Sequence, residues 1–333
     1  HRSMLDKELF FKLKWLVAKN ELLKPDTTGS FSFQRPKSDS IIDIHTRVSG
    51  LHLGFSPPRT QSILTWISSV PVDILEIDRW IVKTQIENMP DIGIRWSEYE
   101  MTAMSDTVHC VYEFLQKHRE RKPVIFKGEF WYFDKIIENK IARLDELTKD
   151  SVLIISCPYM ERLQVKSNMN DILQRCCELG IPVLMDCIWL PLTSEKISLK
   201  NTDCIEMITH SVTKMLPLAG IKGGFAFYKK PLPIEMRHNE IHGKIGAYYL
   251  DKFIKQKGYW HVRDSHVQLQ EKWCKIFGLE KHQVVIAGCL GNDNTLKDYG
   301  AKHINPLNLF SLVPYFNHDK SCTKFLADNG IET

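Results

Sequence analysis

The 333-residue chain is 43% hydrophobic by composition and carries a formal net charge of +4. This length and apolar content suit one large domain or two smaller ones with a well-filled core. No run of about 18 apolar residues is present, so we expect no membrane span. The small, dispersed positive charge does not indicate nucleic-acid binding.

The nine cysteines are scattered along the chain without a CxxC pair. This pattern predicts neither a disulfide framework nor a zinc ribbon, and we therefore expect a protein of the reducing cytoplasm. Cys176 and Cys177 fall in an amphipathic segment, where one of them is expected to pack in the core without a nucleophilic role.

The N-terminal part carries apolar residues at helical spacing over residues 4–23, which predicts an amphipathic helix. A short strand at residues 41–44 and a helix over residues 59–68 are expected to follow. From Glu98 onward, short apolar runs alternate with amphipathic helices. Strands are predicted at residues 124–126, 152–156, 181–186, 204–209, 225–228, 283–287 and 308–313, with helices ending near Lys117, over 170–179 and over 234–256.

This alternation predicts an α/β fold with a mostly parallel sheet covered on both faces by helices. Ligands of such sheets bind at the carboxyl ends of the strands. Asp186 ends one predicted strand, and Lys214 closely follows the next one. An apolar environment lowers the pKa of a lysine and makes its amine a usable nucleophile. The alternatives are a helix-capping aspartate and an exposed lysine in a turn.

Two further features lie on the same predicted edge. Ser105, Asp106 and Thr107 stand at a strand-to-helix turn, where backbone N–H groups and the helix dipole favour a phosphate. An aromatic cluster at residues 130–133 follows the next predicted strand. The glycines at positions 220, 223 and 224, close to Lys214, indicate that another group approaches the backbone there.

This order of features resembles the large domain of fold-type-I pyridoxal phosphate enzymes of the class I and II aminotransferase kind. The segment GIPVLMDCIWLP is similar to the family's strand-end aspartate segment, and HSVTKMLPLAGIKGG is similar to its lysine segment. The resemblance covers about residues 98–230. It implies a three-layer large domain with a seven-stranded mixed sheet over residues 38–232, an N-terminal arm over 4–37, and a smaller α+β domain over 233–333.

The resemblance also implies roles for individual residues. Lys214 would form the Schiff base with pyridoxal phosphate and shuttle a proton at the substrate's α carbon. Asp186 would keep the pyridine nitrogen protonated. Phe130 would stack on the ring, with Trp131 as the alternative. The phosphate would be held by Ser105, Asp106, Thr107, Ser211, Thr213 and Lys222.

The expected function is an aminotransferase that takes an amino acid or amine as donor and a 2-oxo acid as acceptor. A homodimer with a shared active site is implied as well. The chain departs from the family at Lys222, where arginine is usual, and at Trp189, where tyrosine is expected. A substrate-binding arginine has no clear match. Two alternatives therefore remain: another pyridoxal phosphate reaction, such as decarboxylation, elimination or oxidation, and a degenerate homologue that only binds a ligand or partner.

His238 and His242 stand four residues apart and could share one face of a helix. Two such histidines can bind a metal only with further ligands, and the sequence offers no third one nearby. We expect a solvated helix face and no metal site.

Overall fold

The computed structural model of this chain describes residues 88–159, 165–211, 223–231, 240–277, 280–285 and 287–289, together with short strands at 24–25, 31–32 and 309–311. The predicted helices at 4–23 and 59–68 and the predicted strand at 41–44 lie outside the described residues. Thr213, Lys214 and Lys222 also lie outside them.

The chain divides into two compact units. The first comprises Ile67–Met215 and Ile221–His261, and the second comprises His1–Trp66, Leu216–Gly220 and Val262–Thr333. All described residues of the candidate site belong to the first unit. The domain limits expected from the sequence stay a prediction.

The first unit is built on a seven-stranded sheet. Its strands in chain order are β1 (Tyr99–Met104), β2 (Lys122–Phe126), β3 (Asn139–Ile141), β4 (Ser151–Ser156), β5 (Val183–Asp186), β6 (Ile205–Ser211) and β7 (Gly224–Lys229). The order across the sheet is β1-β7-β6-β5-β4-β2-β3. Neighbours from β6 to β3 pair in parallel, whereas β7 runs antiparallel between β1 and β6. The predicted mixed, mostly parallel sheet is confirmed.

The central strands are apolar and buried on both sides, as expected of parallel strands covered by helices. Every residue of β4 and β5 is buried. The observed β5 begins two residues later than the predicted strand, because Pro182 has no N–H group to donate to a ladder. The short edge strand β3 was not predicted, since three residues carry too little pattern to be recognised.

The helices of the first unit are α1 (Thr107–Lys117), α2 (Trp131–Ile136), α3 (Met169–Leu179) and α4 (Glu240–Lys257). Helix α3 ends where the sequence predicts, since Gly180 adopts the left-handed conformation with φ 62° and forms the C-cap. A short helix α5 (His261–Asp264) follows α4. No helix among these described segments is long and apolar enough to cross a membrane.

Helix α1 covers one face of the sheet. Its buried residues Cys110, Val111 and Phe114 pack in a core cluster with side chains from β4, β5, β6 and β7. Because side chains alternate along a strand, Leu184 and Met207 identify the face of the sheet that α1 covers. We call this the α1 face.

The second unit is described only in part. It contains helix α6 (Val267–Phe277) and a three-stranded antiparallel sheet of β8 (Glu280–Lys281), β9 (Ala287–Cys289) and β10 (Leu309–Ser311). A two-residue antiparallel ladder joins Lys24–Pro25 to Phe31–Ser32.

An ion-pair network lies at the C-terminal end of α1. Strand β6 carries one extra residue opposite the Val183–Leu184 step of β5. Glu206, at this irregularity, accepts hydrogen bonds from Lys117, His118 and Tyr228. Burial would raise the pKa of Glu206, but the hydrogen bonds from its three partners outweigh burial and lower the pKa to about 2.

We expect Glu206→Gln to lower the free energy of unfolding at pH 7 by about 1–3 kcal/mol, because three donors would lose a charged acceptor. A depressed carboxyl pKa contributes stability above the ordinary value, near 4.5, that is lost as the pH falls toward 2. The difference between wild type and variant should therefore shrink below pH 4.5 in urea unfolding experiments. Glu120→Gln, at a carboxylate whose side chain is 89% exposed, is the matched control. A difference that does not vary with pH would contradict the network.

Candidate active site

Three neighbouring strands present a row of polar residues at the carboxyl edge of the sheet. Ser156 of β4 is paired with Asp186 of β5, and Asp186 is paired with Thr209 of β6. Each of them lies two residues beyond an apolar residue of the α1 face, so the three share that face. The row stands where α/β sheets bind ligands.

Asp186 is the buried carboxyl group of this row, with 1% of its surface exposed. Its Oδ1 accepts a hydrogen bond from Thr209 Oγ1 at 2.8 Å and one from the Ile188 N–H at 3.3 Å. A buried carboxylate is tolerated only with donors of this kind. The structure therefore holds Asp186 in place at the end of its strand, as the sequence predicts.

A second buried carboxylate, which the sequence did not indicate, stands next to Ser156. Glu129 follows β2 and accepts three hydrogen bonds: from the Phe130 N–H at 2.8 Å, the Ser156 N–H at 2.8 Å and Ser156 Oγ at 2.5 Å. Burial raises the pKa of Glu129 to about 7, and the neighbouring charge of Asp186 acts in the same direction against the hydrogen bonds. The edge thus carries two carboxyl groups, one on each side of Ser156.

The beginning of α1 lies at the same edge. Met104, the last residue of β1, and Ser211, the last residue of β6, are both paired with Gly224. Thr107 is the first residue of α1, and Asp106 is its N-cap. The predicted phosphate turn therefore lies across β7 from Ser211.

The Asp106 carboxylate itself caps α1. Its Oδ1 accepts the His109 N–H at 2.8 Å, and Ser105 Oγ is hydrogen bonded to His109 Nδ1 at 3.1 Å. A carboxylate at a helix N-terminus is favourable for the helix. The same charge is unfavourable for a phosphate placed beside it.

Glycines 223 and 224 allow the elements at this edge to approach closely. A Cβ atom on Gly224 would lie 1.9 Å from the carbonyl oxygen of His210, and one on Gly223 would lie 3.1 Å from the carbonyl oxygen of Gly243. The group expected to approach these glycines is therefore the backbone of β6 and of α4. Among the described residues, this packing accounts for both glycines.

Phe130 directly follows Glu129. It is the N-cap of α2, is half-buried, and packs against the core cluster with its ring 5.3 Å from that of Phe133 at 85°. Its proposed stacking role stays a prediction. Trp131 begins α2, but its side chain is outside the described part of the structure.

Lys214 follows Ser211 by three residues. The roles of Lys214, Thr213 and Lys222 stay predictions.

His210 occupies the opposite face of β6 and was not proposed as a site residue. It is buried between Trp96, Phe227 and Tyr259, and its Nδ1 lies 3.3 Å from Tyr259 Oη. Burial lowers the pKa of His210 to about 3, which keeps the ring neutral. Its Nε2 has no hydrogen-bond partner in the part of the chain that the structure describes. The alternation along β6 could have predicted its opposite orientation from Thr209 and Ser211.

Metal binding receives no support within the described segments, because no group of three or more His, Cys, Asp or Glu side chains could hold an ion there. His242 lies in α4, and His238 is outside the described residues.

No protein-family model matches the sequence. No curated protein matches it either. Among solved structures, the chain is similar to Bna3p of Saccharomyces cerevisiae, assigned as a kynurenine aminotransferase, with a TM-score of 0.51, 11% identity, and 96% of this chain and 94% of that chain covered.

A protein of Corynebacterium diphtheriae assigned as a PLP-dependent β-cystathionase gives a TM-score of 0.48 at 11% identity, over 95% of this chain and 96% of that one. Aspartate aminotransferase of Thermus thermophilus gives 0.47 at 9% identity, over 59% of this chain. The chain spans 62% of the length of that enzyme. The full-length similarity to Bna3p shows that the chain has the fold of fold-type-I pyridoxal phosphate-dependent aminotransferases.

We expect the buried carboxyl group of Glu129 to make stability fall as the pH rises toward neutrality. A carboxyl pKa raised from 4.5 to about 7 contributes stability that is complete below pH 4.5 and is lost as the pH rises through 7. Relative to Glu129→Gln, the wild-type protein should lose on the order of 3 kcal/mol between pH 4.5 and 8. Chemical unfolding across this range measures the difference.

Glu178→Gln, at an exposed carboxylate of α3, serves as the control and should show no such trend. A wild-type curve parallel to that of Glu129→Gln over the whole range would show that Glu129 does not titrate there.

Proposed function

We propose that the chain is a pyridoxal phosphate-dependent enzyme of the aminotransferase type. The observation that carries this proposal is the buried Asp186 carboxylate at the carboxyl end of β5, held by Thr209. It stands one strand from β6, after which Lys214 follows. The shared fold supports the same assignment.

The described residues fit the ring end of the cofactor. A neighbouring carboxylate favours the protonated form of a pyridine nitrogen, and the Asp186 carboxyl group accepts hydrogen bonds from Thr209 and from the Ile188 N–H. Thr209 fixes the orientation of that carboxylate. When bound, pyridoxal phosphate supplies a ring that takes up the electron pair released at a substrate's α carbon.

The fit is less simple at the phosphate end. The N-terminus of α1 offers backbone N–H groups, with Ser105 and Thr107 at the same turn. Asp106 caps the helix from this position. A cation must then balance both the phosphate and the Asp106 carboxylate, and Lys222 is the predicted one. The hydroxyls of Ser211 and Thr213 are predicted to donate hydrogen bonds to the phosphate.

In the proposed reaction, Lys214 binds the cofactor through its amine and moves a proton at the α carbon of the substrate. Asp186 holds the proton on the pyridine nitrogen. Because Asp186 is buried, water is excluded from its carboxyl group, which strengthens the interaction with the protonated ring nitrogen. We infer an amino acid or amine as donor, a 2-oxo acid as acceptor, and a homodimer as the active assembly, located in the cytoplasm.

The capping role of Asp106 favours a second candidate function. A carboxylate at the helix N-terminus would weaken a phosphate site, so the chain could instead be a degenerate homologue that binds a ligand without catalysis. The two candidates differ in whether Lys214 becomes covalently attached to pyridoxal phosphate.

The first test is covalent capture. Purified protein incubated with pyridoxal phosphate should show a visible absorbance band, and borohydride should fix the cofactor on the peptide that contains Lys214. Lys214→Ala should lack both signals. Lys230→Ala is the matched control, because that lysine donates to the Ser97 carbonyl oxygen at the opposite end of the sheet and should label normally.

A protein that stays colourless with pyridoxal phosphate would overturn the enzyme assignment. Labelling of surface lysines, undiminished in Lys214→Ala, would have the same consequence.

We further expect Asp186→Ala to reduce turnover of an amino acid by about 100-fold or more, while the affinity for the cofactor changes much less. The reason is that the carboxylate acts on the charge that develops in the ring. Half-reaction kinetics and cofactor titration measure the two quantities separately. Equal loss of both would assign Asp186 a purely structural role.

A further inference from the structure

Two half-buried cysteines from distant parts of the chain meet on the first unit, away from the site described above. Cys177 lies in the last turn of α3, and Cys204 immediately precedes β6. Both thiols donate to the carbonyl oxygen of Asn201, with sulfur–oxygen distances of 3.1 Å for Cys177 and 3.5 Å for Cys204. The two sulfur atoms therefore lie within 3.5 Å of the same oxygen atom.

The segment before β6 is fixed to α3 at several points. Asn170 donates to the Ser198 carbonyl oxygen at 3.2 Å and accepts the Lys200 N–H at 2.8 Å. Cys204 also donates to the Leu173 carbonyl oxygen at 3.4 Å. The thiols are therefore held together by contacts on both sides of them.

The backbone conformation of Asn201 contributes to this arrangement. Asn201 has φ 55°, the one non-glycine residue with positive φ among those the structure describes. Asparagine is the non-glycine residue that adopts this conformation most readily. This turn directs the Asn201 carbonyl oxygen toward both sulfur atoms and starts the short helical turn that ends at Cys204.

The other cysteines of the first unit differ from this pair. They are fully buried, and their thiols are kept protonated by burial, which raises the pKa of Cys157 and Cys176 to about 12. Cys176 points into the core, as one of the two adjacent cysteines was expected to do. Cys177 and Cys204 are the pair that combines partial exposure with a shared hydrogen-bond acceptor.

We propose that Cys177 and Cys204 form a reversible disulfide, which makes this pair a redox modification site. The oxidant is a low-molecular-weight disulfide of the glutathione type. The Cys177 thiolate attacks one sulfur of that disulfide, so a mixed disulfide forms and one small thiol leaves with the electron pair. The Cys204 thiolate then attacks the Cys177 sulfur, which forms the intramolecular bond and releases the second small thiol.

The order of attack follows from the surroundings of the two thiols. Burial raises the pKa of Cys204, and the neighbouring Cys177 acts in the same direction, so the Cys204 thiolate is scarce and Cys204 acts second, as the resolving cysteine. The bond would close a loop that contains β5, and it would join the end of α3 directly to the strand that precedes Lys214.

The test uses the full chain in glutathione buffers of increasing oxidised fraction. Free thiols are trapped with a maleimide, the protein is digested, and the peptides are identified by mass spectrometry. We expect a cross-linked pair of peptides that contain Cys177 and Cys204, lighter by two hydrogen atoms than the reduced pair and restored by dithiothreitol. The oxidised protein should unfold at a temperature higher by roughly 5 to 10 °C.

Matched variants distinguish this pair from its neighbour. Cys177→Ser and Cys204→Ser should each abolish the cross-link and the thermal shift, whereas Cys176→Ser should retain both. Mixed disulfides without a cross-link would overturn the proposal, and so would a cross-link that involves Cys176. Since wild-type protein alone yields the cross-linked peptides, the test does not depend on the folding of any variant.

Discussion

The fold of the first unit depends on the parallel pairing of β5 with β6, which places Asp186 next to Thr209. Burying a carboxylate costs several kcal/mol unless donors compensate. Thr209 Oγ1, at 2.8 Å, is such a donor, and it is supplied by the neighbouring strand. A change of register by one residue would turn Thr209 to the opposite face and leave Asp186 without it. The register of β5 and β6 therefore determines whether the Asp186 carboxyl group has its donor.

Two carboxyl groups at this edge of the sheet have different surroundings. Glu129 and Asp186 flank Ser156, and the charge of each disfavours that of the other. Glu129 accepts three hydrogen bonds, but its burial keeps its pKa near 7, so it carries a proton for part of the time at neutral pH. Neighbouring groups whose environments differ in this way are characteristic of sites that handle protons.

Local pattern was sufficient for much of this structure. Helix α3 and its end at Gly180, the buried strands β4 to β7, and the strand-end position of Asp186 all follow from periodicity and from the residues at the ends of the elements. The order of the strands across the sheet does not follow from periodicity. The resemblance to a family implied a seven-stranded mixed sheet, without an order for its strands.

Interactions between distant residues could not be predicted. Glu129 and Ser156 are separated by 27 positions, and Cys177 and Asn201 by 24, so only the folded sheet brings each pair together. The capping role of Asp106 is a different case, because an aspartate before a helix predicts both a cap and an anion-binding turn. In the structure, the Asp106 carboxylate accepts the His109 N–H and therefore acts as the cap.

The central claim is that Asp186 faces the ring nitrogen of a bound pyridoxal phosphate. The most direct measurement is the ¹⁵N NMR chemical shift of ring-labelled pyridoxal phosphate bound to the wild-type protein and to Asp186→Asn. The account predicts a protonated ring nitrogen in the wild type and an unprotonated one in the variant. An identical shift in both proteins would contradict it.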